Sequence, residues 1–291
     1  MTQAALVTGV GQAGEIISPS PAQGCILAFD SGIGGLGIVA ALRRRLPDAH
    51  IDYIADTALF PYGEQEDGFL CRHIVTLLSE AVRALKPDVV VVACNTASTL
   101  ALAALRDACP DTPFIGCVPA IRWAARISHS RVIGLLATRA TVRRPYVASL
   151  REQFAPDCML IAHGARHLAD YAEQAFRGKE VDPALIKQEV AGLFGQPEGN
   201  RIDAVALGCT HYTFVLEALR AASPDHVAWL DPADAVARQT VTVLETLTCA
   251  SAGQSTRTES LWFTAPPADA TLLAEHLRPF GYQHAELWPS R

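Results

Sequence analysis

Two apolar runs in this chain end the same way. Val89-Val-Val-Val-Ala is followed by Cys94-Asn95-Thr96, and Ala204-Val-Ala-Leu-Gly by Cys209-Thr210-His211-Tyr212. Each run is too short for a helix and apolar throughout, as a parallel strand covered on both faces must be. Each is followed by Thr-containing polar residues and a helix-like segment. A chain built this way folds as α/β, with each thiol at the carboxyl end of a strand, where open sheets place their ligand crevices. A thiol there also faces a helix N-terminus, whose partial positive charge favours thiolate. Two such thiols on one crevice can take a proton from one face of a substrate and return one to the other.

The alternation extends along the whole chain. Strand-like runs fall at 25–30, 50–55, 88–94, 113–118, 130–136, 157–162, 202–208, 226–230 and 260–264, with helix-like segments between them, such as 36–46, 69–85, 97–108 and 231–248. After the Gly- and Ser-containing loop 250–256, one strand and one helix are expected. The two Cys frames suggest two related, pseudo-symmetric α/β halves with mostly parallel sheets; two doubly wound domains with an active site at their interface are what the family resemblance described below implies. The expected division is residues 25–118 plus 226–291 for the first domain and 119–225 for the second. Residues 1–24, small, polar and broken by Pro19 and Pro21, read as a flexible leader. Gly9-Val-Gly11-Gln-Ala-Gly14 in that leader matches a dinucleotide fingerprint, but the following Ile-Ile-Ser-Pro-Ser-Pro cannot open the required helix.

Composition excludes several classes. The formal charge of −6 gives no basic footprint for nucleic acid. No apolar run reaches the roughly 18 residues of a membrane helix. Residues 1–24 carry no Lys or Arg and so do not read as a signal peptide. Eight cysteines in 291 residues do not form a dense disulfide framework; a cytoplasmic protein with reduced thiols is expected.

Two further strand ends carry candidate chemistry. Phe29-Asp30-Ser31-Gly32-Ile-Gly34-Gly35-Leu-Gly37 reads in two ways. Gly32, Gly34 and Gly37, with Asp52 downstream, suit a nicotinamide-dependent oxidoreductase. Alternatively Asp30 and Ser31 are the functional groups and the glycines only shape the turn; Asp30 at the strand tip would repel a pyrophosphate. Asp56-Thr57-Ala-Leu-Phe-Pro61-Tyr62-Gly63 is turn chemistry that can line a site, with the Tyr62 ring as wall and the Gly63 amide as donor. His211, two residues from Cys209, can polarise or exchange protons with groups around that thiol. Metal binding is not expected: there is no Cys-x-x-Cys, and the His163/His167 pair lacks a third ligand.

Taken in order, Phe29-Asp-Ser-Gly-x-Gly-Gly-Leu36, Asp56-Thr-Ala-x-x-Pro-Tyr-Gly63, Ala93-Cys-Asn-Thr-Ala97 and Gly208-Cys-Thr-His-Tyr212 resemble the cofactor-independent Asp/Glu racemase superfamily, and within it the glutamate racemases. The resemblance covers nearly the whole chain after the leader, including Asp234-Ala-Val-Ala-Arg-Gln-Thr240 and Leu261-Trp-Phe-Thr264. It implies that Cys94 and Cys209 are an acid/base pair assisted by Asp30 and His211. It also implies that Asp30, Ser31, Tyr62, Gly63, Asn95, Thr96, Thr210 and His211 contact glutamate. No cofactor and no metal are implied, the D-glutamate made feeds peptidoglycan, and a homodimer is an open assembly. A racemase or isomerase of another small acid such as aspartate, and a binding module that only keeps the fold, are alternatives. The chain departs from the pattern at Gly37, where Thr or Ser is common, and at Gly63-Glu-Gln65 in place of Gly-Thr-Lys. It departs again at Gly116-Cys-Val-Pro119, which lacks an acidic residue, and at Tyr212-Thr-Phe214 in place of Tyr-Pro-Leu.

Overall fold

The computed structural model describes residues 24–247, 258–267 and 269–289. The expected leader up to residue 23, with its Gly9–Gly14 motif, and the 250–256 loop with Cys249 lie outside the described residues. The strands are β1 (Cys25–Asp30), β2 (His50–Ala55), β3 (Val89–Val92), β4 (Phe114–Gly116), β5 (Val132–Thr138), β6 (Met159–Ala165), β7 (Ala204–Gly208), β8 (Ala228–Leu230), β9 (Leu261–Phe263) and β10 (Ala285–Leu287). The helices are α1 (Leu36–Arg45), α2 (Asp67–Leu85), α3 (Asn95–Ala108), α4 (Ile121–Ile127), α5 (Arg139–Arg143), α6 (Pro145–Phe154), α7 (Leu168–Phe176), α8 (Pro183–Phe194), α9 (Leu216–Ala221), α10 (Ala233–Thr246) and α11 (Ala270–Leu277).

Among the described residues, the strands form two sheets, ordered β10-β9-β2-β1-β3-β4 and β6-β5-β7-β8, with every pairing parallel. The core of the first sheet, β2-β1-β3-β4, has the same order as the whole second sheet. This repeated order is the pseudo-symmetry that the two Cys frames predict. In both sheets the order reverses beside the first strand of the unit, so both crevices open at the ends of β1/β3 and of β5/β7.

Both faces of each sheet are covered, which explains the unbroken apolar runs. Ile26 and Ala28 of β1 join one core with residues of α1 and α10, while Leu27 and Phe29 join the opposite core with residues of α2 and α3. The second sheet is likewise sandwiched between a core including residues of α7, α8 and α9 and another including residues of α4 and α6. All four valines of β3 are fully buried. Each such side chain contributes about 1.5–3 kcal/mol relative to an exposed one, and this fixes β3, and therefore Cys94, in place.

Two expectations need correction. Strand β8 pairs with β7, so residues 226–230 belong with the second sheet, and the chain returns to the first only at α10, which packs beside α1. The final segment holds two strands rather than one. The additional β10 adds Ala285-Glu-Leu287 to the sheet edge with all three residues exposed, so no apolar run marks it in the sequence.

Candidate active site

The sheet ends converge on one cleft of about 320 Å³, its mouth included. It is lined by Ser31, Phe60, Pro61, Tyr62, Gly63, Cys94, Asn95, Thr96, Thr138, Ala169, Cys209, Thr210 and His211. Nine of the ten sequence candidates are therefore walls of the same space. The tenth, Asp30, lies immediately behind it and is fully buried.

Cys94 leaves β3 in extended conformation and becomes the N-cap of α3, its Sγ accepting from the Ala97 N–H at 3.5 Å. Its own S–H points to Ser31 Oγ, 3.8 Å away. Burial and the nearby Asp30 charge push this thiol up to about 12. Behind it, Asp30 accepts from the Gly32 N–H at 2.9 Å and from Thr210 Oγ1 at 2.8 Å, so its carboxylate ties the first sheet to the segment after Cys209. Burial raises the Asp30 carboxyl, against the opposing pull of His211 and these two hydrogen bonds.

Cys209 is set differently. The expected α-helix does not begin there: Thr210–Val215 is a 3₁₀ turn, and the Cys209 side chain makes no cap hydrogen bond. The tighter turn carries the His211 ring back, placing Nδ1 3.9 Å from Cys209 Sγ. The other ring nitrogen, Nε2, lies 3.1 Å from Glu173 Oε1 on α7. Burial opposes protonation of this imidazole, but its bonds to Cys209 and Glu173 and the Asp30 charge hold it well above the usual histidine range. Burial pushes the Glu173 carboxyl up, yet His211, the Ile33 N–H and Arg177 together bring it below the usual range.

The sequence alone did not reveal Glu173. It sits in an ordinary amphipathic helix, and its partners, Ile33 at 3.1 Å and His211, come from remote parts of the chain. Thr138 was also missed. It caps α5 and meets Thr96 across the cleft, Oγ1 to Oγ1 at 3.3 Å. In hindsight the only signal was symmetry, since Thr138 ends β5 as Asp30 ends β1.

The glycine turn after β1 resolves its two readings. A Cβ on Gly32 would stand 2.6 Å from Glu173 Oε1, and one on Gly34 would enter the His211 ring. The turn's N–H groups at residues 32 and 33 already donate to Asp30 and Glu173. The glycines thus admit the His211–Glu173 pair, and the N–H groups of residues 32 and 33 serve these carboxylates rather than a pyrophosphate. On the opposite wall the Tyr62 hydroxyl donates to Asp56 at 2.5 Å, leaving the ring as lining. Asp56 also accepts from Thr264 and contacts His73, so this buried carboxylate holds the Tyr62–Gly63 segment against β9. Asn95 donates to the Cys117 thiol at 3.4 Å, while its buried Oδ1 has no protein partner. Two of the sequence departures face each other: a Cβ on Gly37 would stand 3.4 Å from the Thr213 methyl, and Thr213 donates to Asp231.

Among the described residues no group of three or more His, Cys, Asp or Glu is placed to hold a metal ion, and no helix is long and apolar enough to cross a membrane. His163 pairs with Glu189 at 3.4 Å and His167 lies 4.0 Å from Asp170.

Paired strand-end thiols on a cleft between two like-ordered sheets define a class, and the sequence agrees: the chain belongs to the Asp/Glu/Hydantoin racemase family, matched over residues 37–240. Among its relatives are the glutamate racemase of Granulibacter bethesdensis, 57% identical over 214 residues (74% of this chain and 76% of the relative), and that of Brucella anthropi, 46% identical over 220 residues (76% and 79%). Among solved structures, the Escherichia coli glutamate racemase in complex with L-glutamate and the activator UDP-MurNAc-Ala superposes with a TM-score of 0.84. It is 34% identical, with 91% of this chain and 98% of that one covered.

Proposed function

We propose that this chain interconverts L- and D-glutamate by two-thiol acid/base catalysis, with Cys94 and Cys209 addressing opposite faces of Cα. The observation that supports it most is the pairing itself: each thiol ends the third strand of a like-ordered sheet, and both line one cleft. That its relatives are glutamate racemases supports glutamate as the substrate.

An amino-acid α-proton is a very weak acid, so its removal needs a positioned base and a stabilised developing charge. In the proposed reaction one cysteine acts as thiolate and takes the proton. The other, as thiol, delivers a proton to the opposite face, and the roles swap with the substrate's hand. On the Cys209 side, His211, held by Glu173, is placed to exchange protons with the thiol. On the Cys94 side, the buried thiol beside Asp30 rests protonated, ready to donate. It becomes a base when the substrate ammonium enters and offsets the Asp30 charge. The unpartnered Oδ1 of Asn95 is an acceptor for that ammonium. The hydroxyls of Ser31, Thr96, Thr138 and Thr210 and the Gly63 amide serve the two carboxylates. This scheme uses no pyridoxal and no metal.

Three broader assignments belong to the same reading. The two sheet units act as domains that close over the substrate, the second running from 119 through β8. The enzyme works in the cytoplasm and supplies D-glutamate for peptidoglycan. It acts as a homodimer, for which the exposed Trp123 and Ile127 on α4 offer apolar surface.

Reaction in D₂O tests the mechanism. A deuteron arrives from a thiol already exchanged with solvent, while the abstracted proton stays on its own side. D-glutamate formed early from L-glutamate, without added cofactor, is expected to carry deuterium at Cα, and recovered L-glutamate almost none. Early deuterium in unreacted L-glutamate, or undeuterated product, overturns the assignment of the thiols to separate faces.

A further inference from the structure

The catalytic cleft contains no Lys or Arg among its lining residues, although the substrate proposed above carries two carboxylates and the chain is itself anionic. Cationic groups gather one wall away. A second cleft of about 610 Å³, mouth included, is lined by Arg139, His163, Arg166, His167, Tyr171, Leu185, Gln188 and Glu189. An adjoining hollow is lined by Arg139, Val142, Arg143 and Gly164.

The two clefts share their walls. Arg139 directly follows Thr138, which lines the catalytic cleft. Arg166 and His167 immediately precede α7, which sends Ala169 into the catalytic cleft and Glu173 to His211. The end of β6 presses against the same turn, since a Cβ on Gly164 would stand 2.8 Å from Arg139 Cα. Among the described residues, the guanidiniums of Arg139, Arg143 and Arg166 have no ion-pair partner, unlike those of Arg131, Arg144 and Arg177 in the same half of the chain. The carboxylates facing this surface are Glu189, already engaged by His163 and the His167 N–H, and Asp170, beside His167. Glu64 lies close enough to Asp170 to act on its titration.

We propose that Arg139 and Arg166 form an anion-capturing vestibule that holds a carboxylate of the incoming dicarboxylic amino acid at the lip of the catalytic cleft. The inference rests on the glutamate reading above. Guanidinium forks match carboxylates in geometry, and a cationic recess raises the local concentration of an anion by tenfold or more, an effect that salt screens. The thiols, hydroxyls and amides of the inner cleft can then hold the substrate without a Lys or Arg beside the reacting carbon.

The test compares glutamate racemisation by the wild-type protein and by Arg139→Gln, Arg166→Gln and the double variant, from low to physiological ionic strength. Wild-type racemisation is established first, so failure of the glutamate reading shows at once and separately. The double variant is expected to lose about tenfold in kcat/KM at low salt, to keep its kcat, and to lose the salt dependence of kcat/KM seen in the wild type. Arg139→Lys is expected to restore most of the single-site loss, and Arg139→Glu to make added salt accelerate rather than slow the reaction. Unchanged kcat/KM with an unchanged salt slope in the double variant overturns the vestibule. So does a loss confined to kcat, which would make these arginines supports of the inner cleft.

Discussion

Cys94 and Cys209 occupy equivalent positions in two sheets of the same strand order, yet their surroundings are opposite in sign. Cys94 caps a regular α-helix and has a buried carboxylate, Asp30, behind it; its thiol is held protonated. Cys209 precedes a 3₁₀ turn that returns an imidazole to it, and the bonds of that imidazole to Cys209 and Glu173 hold its pKa well above the usual histidine range. The repeated fold supplies position, and local sequence supplies charge.

The largest test of this comparison removes a thiol. Cys94→Ser and Cys209→Ser are each expected to lower turnover at least about 10³-fold with melting temperature little changed, because a serine hydroxyl is too weak an acid to replace either. Near wild-type turnover from either variant breaks the two-sided scheme.

Removing the imidazole from the Cys209 side comes next. His211→Ala is expected to cost about 10²-fold in kcat, with a smaller effect on the affinity of a substrate analogue. Glu173→Gln should cost about tenfold, the value of one charge-assisted hydrogen bond. It should also move the alkaline limb of the pH–rate profile to lower pH, because Glu173 raises the His211 pKa. A uniform loss across pH would make Glu173 a packing residue only. The same pair has a stability consequence. With its folded pKa raised, His211 contributes stability that is full below its unfolded value of about 6.5 and is lost as pH rises through the folded value. Thermal melts should show this loss in the wild type and less of it in Glu173→Gln.

The smallest expected effect on catalysis comes from the wall on the Cys94 side. Asp56→Asn leaves both thiols untouched but weakens the contacts to Tyr62, His73 and Thr264, at a cost of about 2–3 kcal/mol of stability and a few-fold in kcat/KM. The Asp56 carboxyl lies below its ordinary value: burial raises it, but His73, Thr264 and Tyr62 outweigh that. Its contribution is therefore present above its unfolded pKa, near 3.8, and is lost as pH falls through the lower folded value. Acid unfolding of the variant should be correspondingly less steep; an equal acid dependence would remove Asp56 from this role.

The comparison also explains what could be read from the chain. Strand runs such as Val89–Val92 were legible because both faces of a parallel strand are buried, and the polar residues closing them are adjacent in sequence. Glu173 was not, because what makes it special is the approach of two units, and its contact with Ile33 spans 140 residues. The affiliation of β8 was hidden because Ala228-Trp-Leu230 suits either sheet. The 3₁₀ turn at Thr210 was hidden because a strand–Cys–Thr sequence leads equally well into an α-helix.

The crossing of the chain between sheets bears on its synthesis. Strands β5 to β8 are contiguous, so the second sheet can close as soon as Leu230 has left the ribosome. The first sheet waits for β9 and the segment just after it, whose contacts with the loop after β2 span 208 residues. During elongation β2 therefore remains a bare sheet edge for the whole time that the second unit is being made. Contacts so distant in sequence form late and slowly. The first unit, though it emerges first, is the one finished last.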